Sequence, residues 1–184
     1  MEIPQELRGG GLMLRTPRPG DGQIVYPSVR ESLAQLKLWM PWAKDDYVEQ
    51  TAEEWCRKSA ADFLSRKQLQ YLIFSIADNA HLGTIGAFKF DWEVRSCEIG
   101  YWLRTSQTGR GIMCEAVAIL CPMLRGALDA RRIQLCTDAR NQRSRRTAER
   151  SGFQLEGILR NDSLATDGRT RDTCVYAWVG GSGG

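Results

Sequence analysis

The chain has 184 residues, a net charge of +3 at pH 7, and 42% hydrophobic and 26% charged residues, a balance that suits one soluble globular domain with a sizeable core. The charge is too small to argue for nucleic-acid binding by itself, and no apolar run approaches the ~20 residues of a membrane span. The six cysteines form no CxxC pair, the single histidine, His81, has no metal-type neighbour spacing, and most of the cysteines lie inside apolar segments, so they read as reduced, buried small hydrophobes rather than zinc ligands or a disulfide framework.

At the N-terminus, MEIPQELRGGG lacks the basic-then-apolar pattern of a secretory signal, which gives the expectation of a cytoplasmic protein. Leu12 to Arg15 alternates as a short strand, broken by Pro17, Pro19 and Gly20. Asp21 opens a short helical stretch that Pro27 is expected to interrupt. Ser28 to Leu38 has helical spacing, with Val29, Leu33 and Leu36 inward and Leu38 as a further candidate. Trp39 to Tyr47 is aromatic, proline-broken and aperiodic. Thr51-Ala-Glu-Glu54 reads as a capping box at the start of a helix running to about Arg66.

Tyr71 to Ala77 and Leu82 to Phe90 read as a β-hairpin about Asp78-Asn79. Cys97 to Leu103 is the next strand, with Cys97, Ile99, Tyr101 and Leu103 on one face and Glu98, Gly100 and Trp102 on the other. Ile112 to about Leu128 is a long apolar helix, in which Pro122 should produce a kink or an end. Ile133 to Cys136 is a short buried strand, and Asn141 to Arg150 a helix closed by Ser151-Gly152. Phe153 to Arg160 and Thr173 to Val179 are two last strands around a turn at Asp167-Gly168. Residues 1–179 are expected to form one domain, followed by a flexible Gly/Ser tail over 180–184. The element order gives an α/β (α+β) fold: a mixed sheet of six to seven strands, antiparallel first and parallel in the middle, with about four helices.

Gly109 and Gly111 stand between a strand and a long helix, in TSQTGRGIMCEA. The first turn of a helix leaves four amides without internal partners and carries partial positive charge. A phosphate bound there needs little beyond backbone. No GK[ST] follows, so the loop is not a Walker A motif, and GxGxxG is incomplete. Glycine serving only as turn punctuation is the competing reading.

Three neighbouring stretches decide between them: CEIGYWL (97–103), DARNQRSRRTAERSGF (138–153) and LEGILRND (155–162). With the glycine loop, they resemble the GCN5-related N-acetyltransferases, in the branch that acetylates N-terminal amines of ribosomal proteins. RESLAQLKLWMPWA (30–43) looks like that branch's acceptor-side segment. The resemblance implies the family's fold, acetyl-coenzyme A as co-substrate without a metal, and direct transfer of the acetyl group to a primary amine. Thr108 stands where the family has Gln or Arg, and Met113 where Gly or Ala is usual.

By this resemblance, Gly109, Arg110, Gly111, Ile112 and Met113 hold the pyrophosphate through their amides, with Thr108 contributing an amide or side-chain contact beside them. Trp102, Leu103 and Arg104 end a strand that takes the pantetheine arm as an added strand would. Asn141 reaches the coenzyme and caps its own helix. Glu98 is either the general base or an ordinary ion-paired residue; the chemistry wants a base, because amines with pKa values of about 8 to 10.4 are mostly protonated at pH 7. Ser144 is the candidate proton donor to the leaving thiolate, with Tyr101 and Tyr176 as alternatives. Arg145 or Arg146 meets the 3′-phosphate. Trp39, Trp42 and Tyr47 wall the pocket of an amine-bearing acceptor: a protein N-terminus, a peptide or a small molecule. Cys97 and Cys114 lie near the site without a nucleophilic role. Monomer and homodimer are both open. A catalytically silent coenzyme-binding module and a nucleic-acid surface on Arg140–Arg150 are the competing functions.

Overall fold

The computed structural model describes residues 3–179, so the expectation for the 180–184 tail falls outside the described residues. The elements run β1 (Glu6–Gly9), β2 (Leu12–Arg15), α1 (Gly22–Leu36), α2 (Glu49–Leu64), β3 (Leu69–Ser75), β4 (His81–Asp91), β5 (Ser96–Leu103), α3 (Ile112–Leu128), β6 (Arg132–Asp138), α4 (Gln142–Arg150), β7 (Gln154–Leu164) and β8 (Thr170–Val179). All eight strands form one sheet in the order β1-β2-β3-β4-β5-β6-β8-β7. The β5–β6 pair is parallel, and the other pairs are antiparallel. The expected mixed sheet is therefore present with one strand more. The addition is β1, a four-residue edge strand too short and too polar to show a pattern.

The alternation read from CEIGYWL holds. Cys97 and Ile99 lie in the core beneath α3, whereas Trp102 packs with the second core formed by α1 and α2. The sheet thus separates two layers, with α3 and α4 on one face and α1 and α2 on the other.

Three local expectations are corrected. Neither Pro27 nor Pro122 breaks its helix. Both rings, and the residues four places earlier whose carbonyls lose a donor (Gln23 and Ala118), are exposed, so water satisfies what proline gives up. The capping box is not used: α2 begins at Glu49 behind an extended Val48, with Thr51 already inside the helix. Glu53 instead reaches out to accept the amides of Gly20 and Gly22 at the start of α1, at 2.9 and 3.1 Å. Leu38 lies beyond the end of α1 and is exposed.

Candidate active site

The site forms where two parallel strands part. β5 and β6 are in register only at Ser96–Arg132, Cys97–Ile133 and Glu98–Gln134. Beyond that point β5 continues to Leu103 and β6 to Asp138, so facing strand edges diverge into a wedge. A cavity of about 1030 Å³ passes through it, lined from Val25 and Trp39 on the α1/α2 side to Gly111 and Arg146 on the α3/α4 side. Both layers of the molecule open onto one space.

On the α3 side, the cavity meets the glycine loop. Gly109 and Gly111 have φ of +81° and +80°, the left-handed region where a side chain is strained. No side chain caps α3, and a Cβ at either glycine would meet open space. The helix entrance is bare backbone facing the cleft. Thr108, Gly109, Gly111, Ile112 and Met113 line it as expected. Thr108 turns its hydroxyl back onto the Thr105 carbonyl at 2.9 Å, so its side chain serves the loop. Two of the expected contributors turn their side chains elsewhere, which leaves their expected backbone roles untouched. Arg110 is not among the lining residues; its guanidinium donates to Gln107 at 3.3 Å. Arg104 points toward α1, pairing with Glu31 and donating to the His81 carbonyl at 3.2 Å. Hydrogen bonds from Arg104 and Ser106 hold the Glu31 carboxyl down at about 2, so this clamp between α1 and the loop stays ionised at any ordinary pH.

The arginine-rich helix divides by face. Arg140 pairs with Asp138 at 2.8 Å, and Arg145 donates to the Tyr176 hydroxyl at 3.2 Å and to the Ala139 carbonyl. Arg143, Arg146 and Arg150, spaced for one helical face, line the cavity. Of the two arginines proposed for the 3′-phosphate, Arg146 is therefore the one in position. Turning three cations into a cleft, and tying down two others, weakens the reading of 140–150 as a flat nucleic-acid surface.

Asn141 caps α4, its Oδ1 accepting from the Ser144 amide at 3.2 Å. Ser144 Oγ lies 3.3 Å from the Tyr101 hydroxyl, and both residues line the cavity. Burial pushes the Tyr101 phenol up to about 12, so it remains a proton donor. Tyr176 is displaced from the role of acid: its hydroxyl donates to Glu149 at 2.8 Å and does not line the cavity. Removing the cap with Asn141→Ala should cost about 1 kcal/mol, a fall of roughly 2–4 °C in Tm at this size. Asn141→Asp should keep the cap and the Tm but lose the amide donor. A raised KM for acetyl-coenzyme A in the Asp variant would then report a coenzyme contact separately from the cap.

On the opposite face, Glu98 is 9% exposed and lines the cavity. It is not solitary. β4 carries a register shift between Phe88 and Asp91, with Lys89 at φ +52°, and this bulge brings the Lys89 ammonium to 2.9 Å from Glu98 Oε2. Nothing in the sequence announced that partner, because a bulge re-aims a side chain that strict alternation would place elsewhere. The hydrogen bond to Glu98 raises the pKa of Lys89 and keeps it charged. The ion-paired reading of Glu98 is thus realised together with its placement in the cavity.

Trp39, Trp42 and Tyr47 all line the acceptor side. Trp42 bridges the pocket wall, 5.9 Å from Tyr47 and 6.2 Å from Trp102 by ring centroid. Of the cysteines, Cys114 and Cys136 line the cavity, whereas Cys97 is buried beneath α3. Burial raises the Cys136 thiol, which keeps it protonated. Among the described residues, no cluster of His, Cys, Asp and Glu could hold a metal ion, and no helix is long and apolar enough to cross a membrane.

A parted parallel strand pair, with an uncapped helix entrance on one side and an aromatic pocket on the other, defines an acyl transferase that takes its acyl group from a phosphorylated carrier. The model of the acetyltransferase (GNAT) domain matches residues 11–154, and the chain belongs to that family. It is 28% identical over 171 residues to the Bacillus subtilis (strain 168) protein YdaF, provisionally named a ribosomal N-acetyltransferase, covering 90% of each chain. It is also 28% identical over 157 residues to the ribosomal-protein-serine acetyltransferase of Escherichia coli (strain K12), covering 84% of this chain and 85% of that protein. Among solved structures, RimL, a ribosomal L7/L12 alpha-N-protein acetyltransferase in complex with coenzyme A, superposes with a TM-score of 0.87 at 24% identity, covering 96% of this chain and 97% of that one.

Proposed function

We propose that this chain transfers the acetyl group of acetyl-coenzyme A to the α-amine at the N-terminus of a protein or peptide. The observation that carries the reading is the through-cavity at the strand parting, which joins a coenzyme-type entrance to a separate acceptor pocket beside Glu98. The names of the relatives, which refer to ribosomal proteins and an N-terminal amine, support a protein acceptor over a free metabolite.

Each group then has a task. The amides at the start of α3 hold the pyrophosphate, aided by Arg143 and Arg146. The unpaired edge of β5 takes the pantetheine arm, and a β5 amide polarises the thioester carbonyl. Glu98 takes a proton from the ammonium and so frees the nitrogen lone pair to bond to the acetyl carbon. The carbon–sulfur bond breaks; Ser144, hydrogen-bonded to Tyr101, gives a proton to the departing thiolate and recovers one from the nitrogen, which sheds its second proton as the amide forms. Holding amine and thioester in line supplies several kcal/mol of the barrier reduction. Thiol release should be measured with peptides of varied first residue and with small amines. Turnover on peptides, lost when the α-amine is blocked, is expected; turnover confined to small amines would overturn the protein acceptor.

A further inference from the structure

An amine of the chain itself already stands on the proposed base. Lys89 Nζ donates to Glu98 Oε2 at 2.9 Å, the reach at which a general base takes a proton from an acceptor. Glu98 is buried and lines the cavity, whereas the Lys89 side chain is 70% exposed. An ion pair with one partner so exposed adds little to stability. It is nonetheless built at a β-bulge, with Lys89 in the left-handed region.

The neighbours of this amine lead toward the coenzyme. The Lys89 ammonium lies 6.0 Å from the centroid of the Phe88 ring. That ring lines the cavity and rests on Gly100, where an added Cβ would come within 3.0 Å of it. Gly100 follows Glu98 on the same face of β5, just past the point where β5 and β6 part. Ammonium, ring and free strand edge therefore stand in sequence, and an exposed lysine on its flexible four-carbon stem can swing across the ring. The chain has five lysines: Lys37, Lys44, Lys58, Lys67 and Lys89. Lys37 pairs with Asp45 and Lys58 with Asp62, neither of which lines the cavity. Among the described residues, Lys89 alone sets its ammonium against a carboxylate of the cavity wall.

We infer that Lys89 is a self-acetylation site: in the absence of an acceptor, the enzyme moves the acetyl group of bound acetyl-coenzyme A onto its own Lys89 Nζ. This rests on the reading of Glu98 as the base beside the thioester. Glu98 takes one proton from the Lys89 ammonium and passes it to water, and the freed nitrogen bonds to the acetyl carbon. The carbon–sulfur bond breaks, and the second proton of the nitrogen reaches the departing thiolate through Ser144. The products are an uncharged acetyl-lysine and coenzyme A thiol, so the event occurs once per chain and removes the ion pair with Glu98. It is slow beside peptide turnover. A lysine has a pKa of about 10.4 against about 8 for an N-terminal amine, and the contact with Glu98 raises it further. An acceptor peptide therefore outcompetes Lys89.

The test incubates the wild type with acetyl-coenzyme A alone and follows acetylation of each lysine by peptide mapping and mass spectrometry. Lys89 should be labelled at least about tenfold faster than Lys44 or Lys67 of the same chain, the gain expected of a positioned amine. The rate per chain should not change when the enzyme is diluted, because the transfer stays within one chain. Glu98→Gln should slow labelling of Lys89 at least about tenfold and leave the other lysines at their chemical background. An excess of acceptor peptide should delay the label. Labelling of Lys89 no faster than that of the other lysines, or equally fast in Glu98→Gln, or accelerating with enzyme concentration, would overturn the inference. Peptide turnover measured on the same preparations separates the two readings: turnover without the Lys89 label removes this inference alone, and loss of both removes the acetyltransferase reading with it.

Discussion

Glu98→Gln should lower kcat by two to three orders of magnitude, within the range removed when a positioned general base is lost. The side chain keeps its size, and the change replaces one oxygen of a carboxylate by an amide. Lys89 loses its charged partner, but it is largely exposed and returns to water, so stability should change by less than about 1 kcal/mol. The decisive readout is the pH profile. With the carboxylate gone, only amines that have already lost their proton react. Below the amine's own pKa of about 8, kcat/KM should then fall tenfold per unit of pH, whereas the wild type should hold its rate over part of that range. Lys89→Met separates the base from its partner: the carboxylate remains, so the slope seen in Glu98→Gln should not appear. A Glu98→Gln profile that overlays the wild type would show that the carboxylate only secures the β4–β5 pair.

How much of this could be read from the chain depended on whether the signal was local. The strand faces at 97–103, the helix at 112–128 and the Asn141 cap follow from period and capping chemistry within a dozen residues, and they were legible. The two prolines misled because their effect depends on whether the released carbonyl faces water, a tertiary fact. Thr51 misled because its hydroxyl and Glu54 satisfied a pattern that the longer helix, extended back to Glu49, never needed. The site divides in the same way. Backbone groups at Gly109–Met113 are where the motif puts them, because a helix entrance is defined by the chain itself. Side chains whose direction is set by distant partners were not: Arg104 is drawn off by Glu31, Arg145 by Tyr176, and Lys89 is brought in by a bulge.

The largest effect on coenzyme binding should come from Gly111→Val. The backbone there has φ +80°, and a β-branched residue held in that region is strained by about 1–3 kcal/mol. The new side chain would meet no protein atom, since the space beside Gly111 is open. The protein should therefore fold, with Tm lower by roughly 2–4 °C for each kcal/mol of strain. That open space is where phosphate oxygens must come against the amides of Ile112 and Met113. Isopropyl carbons there displace them, and relief of the strain would rotate the same amides away from the cleft. A loss of two such charge-assisted hydrogen bonds, at about 1.5–3 kcal/mol each, implies a Kd for acetyl-coenzyme A at least 100-fold weaker. The effect should fall mainly on coenzyme affinity, with the acceptor KM little changed once the coenzyme is forced on, because Gly111 faces the α3 side and Trp42, Tyr47 and Thr84 the other. Gly111→Ala should show the strain with a smaller loss of affinity. An unaltered Kd in the valine variant, with a normal fold, would mean that the carrier's phosphates bind elsewhere, and the Arg143–Arg146–Arg150 face of α4 would be the first place to look.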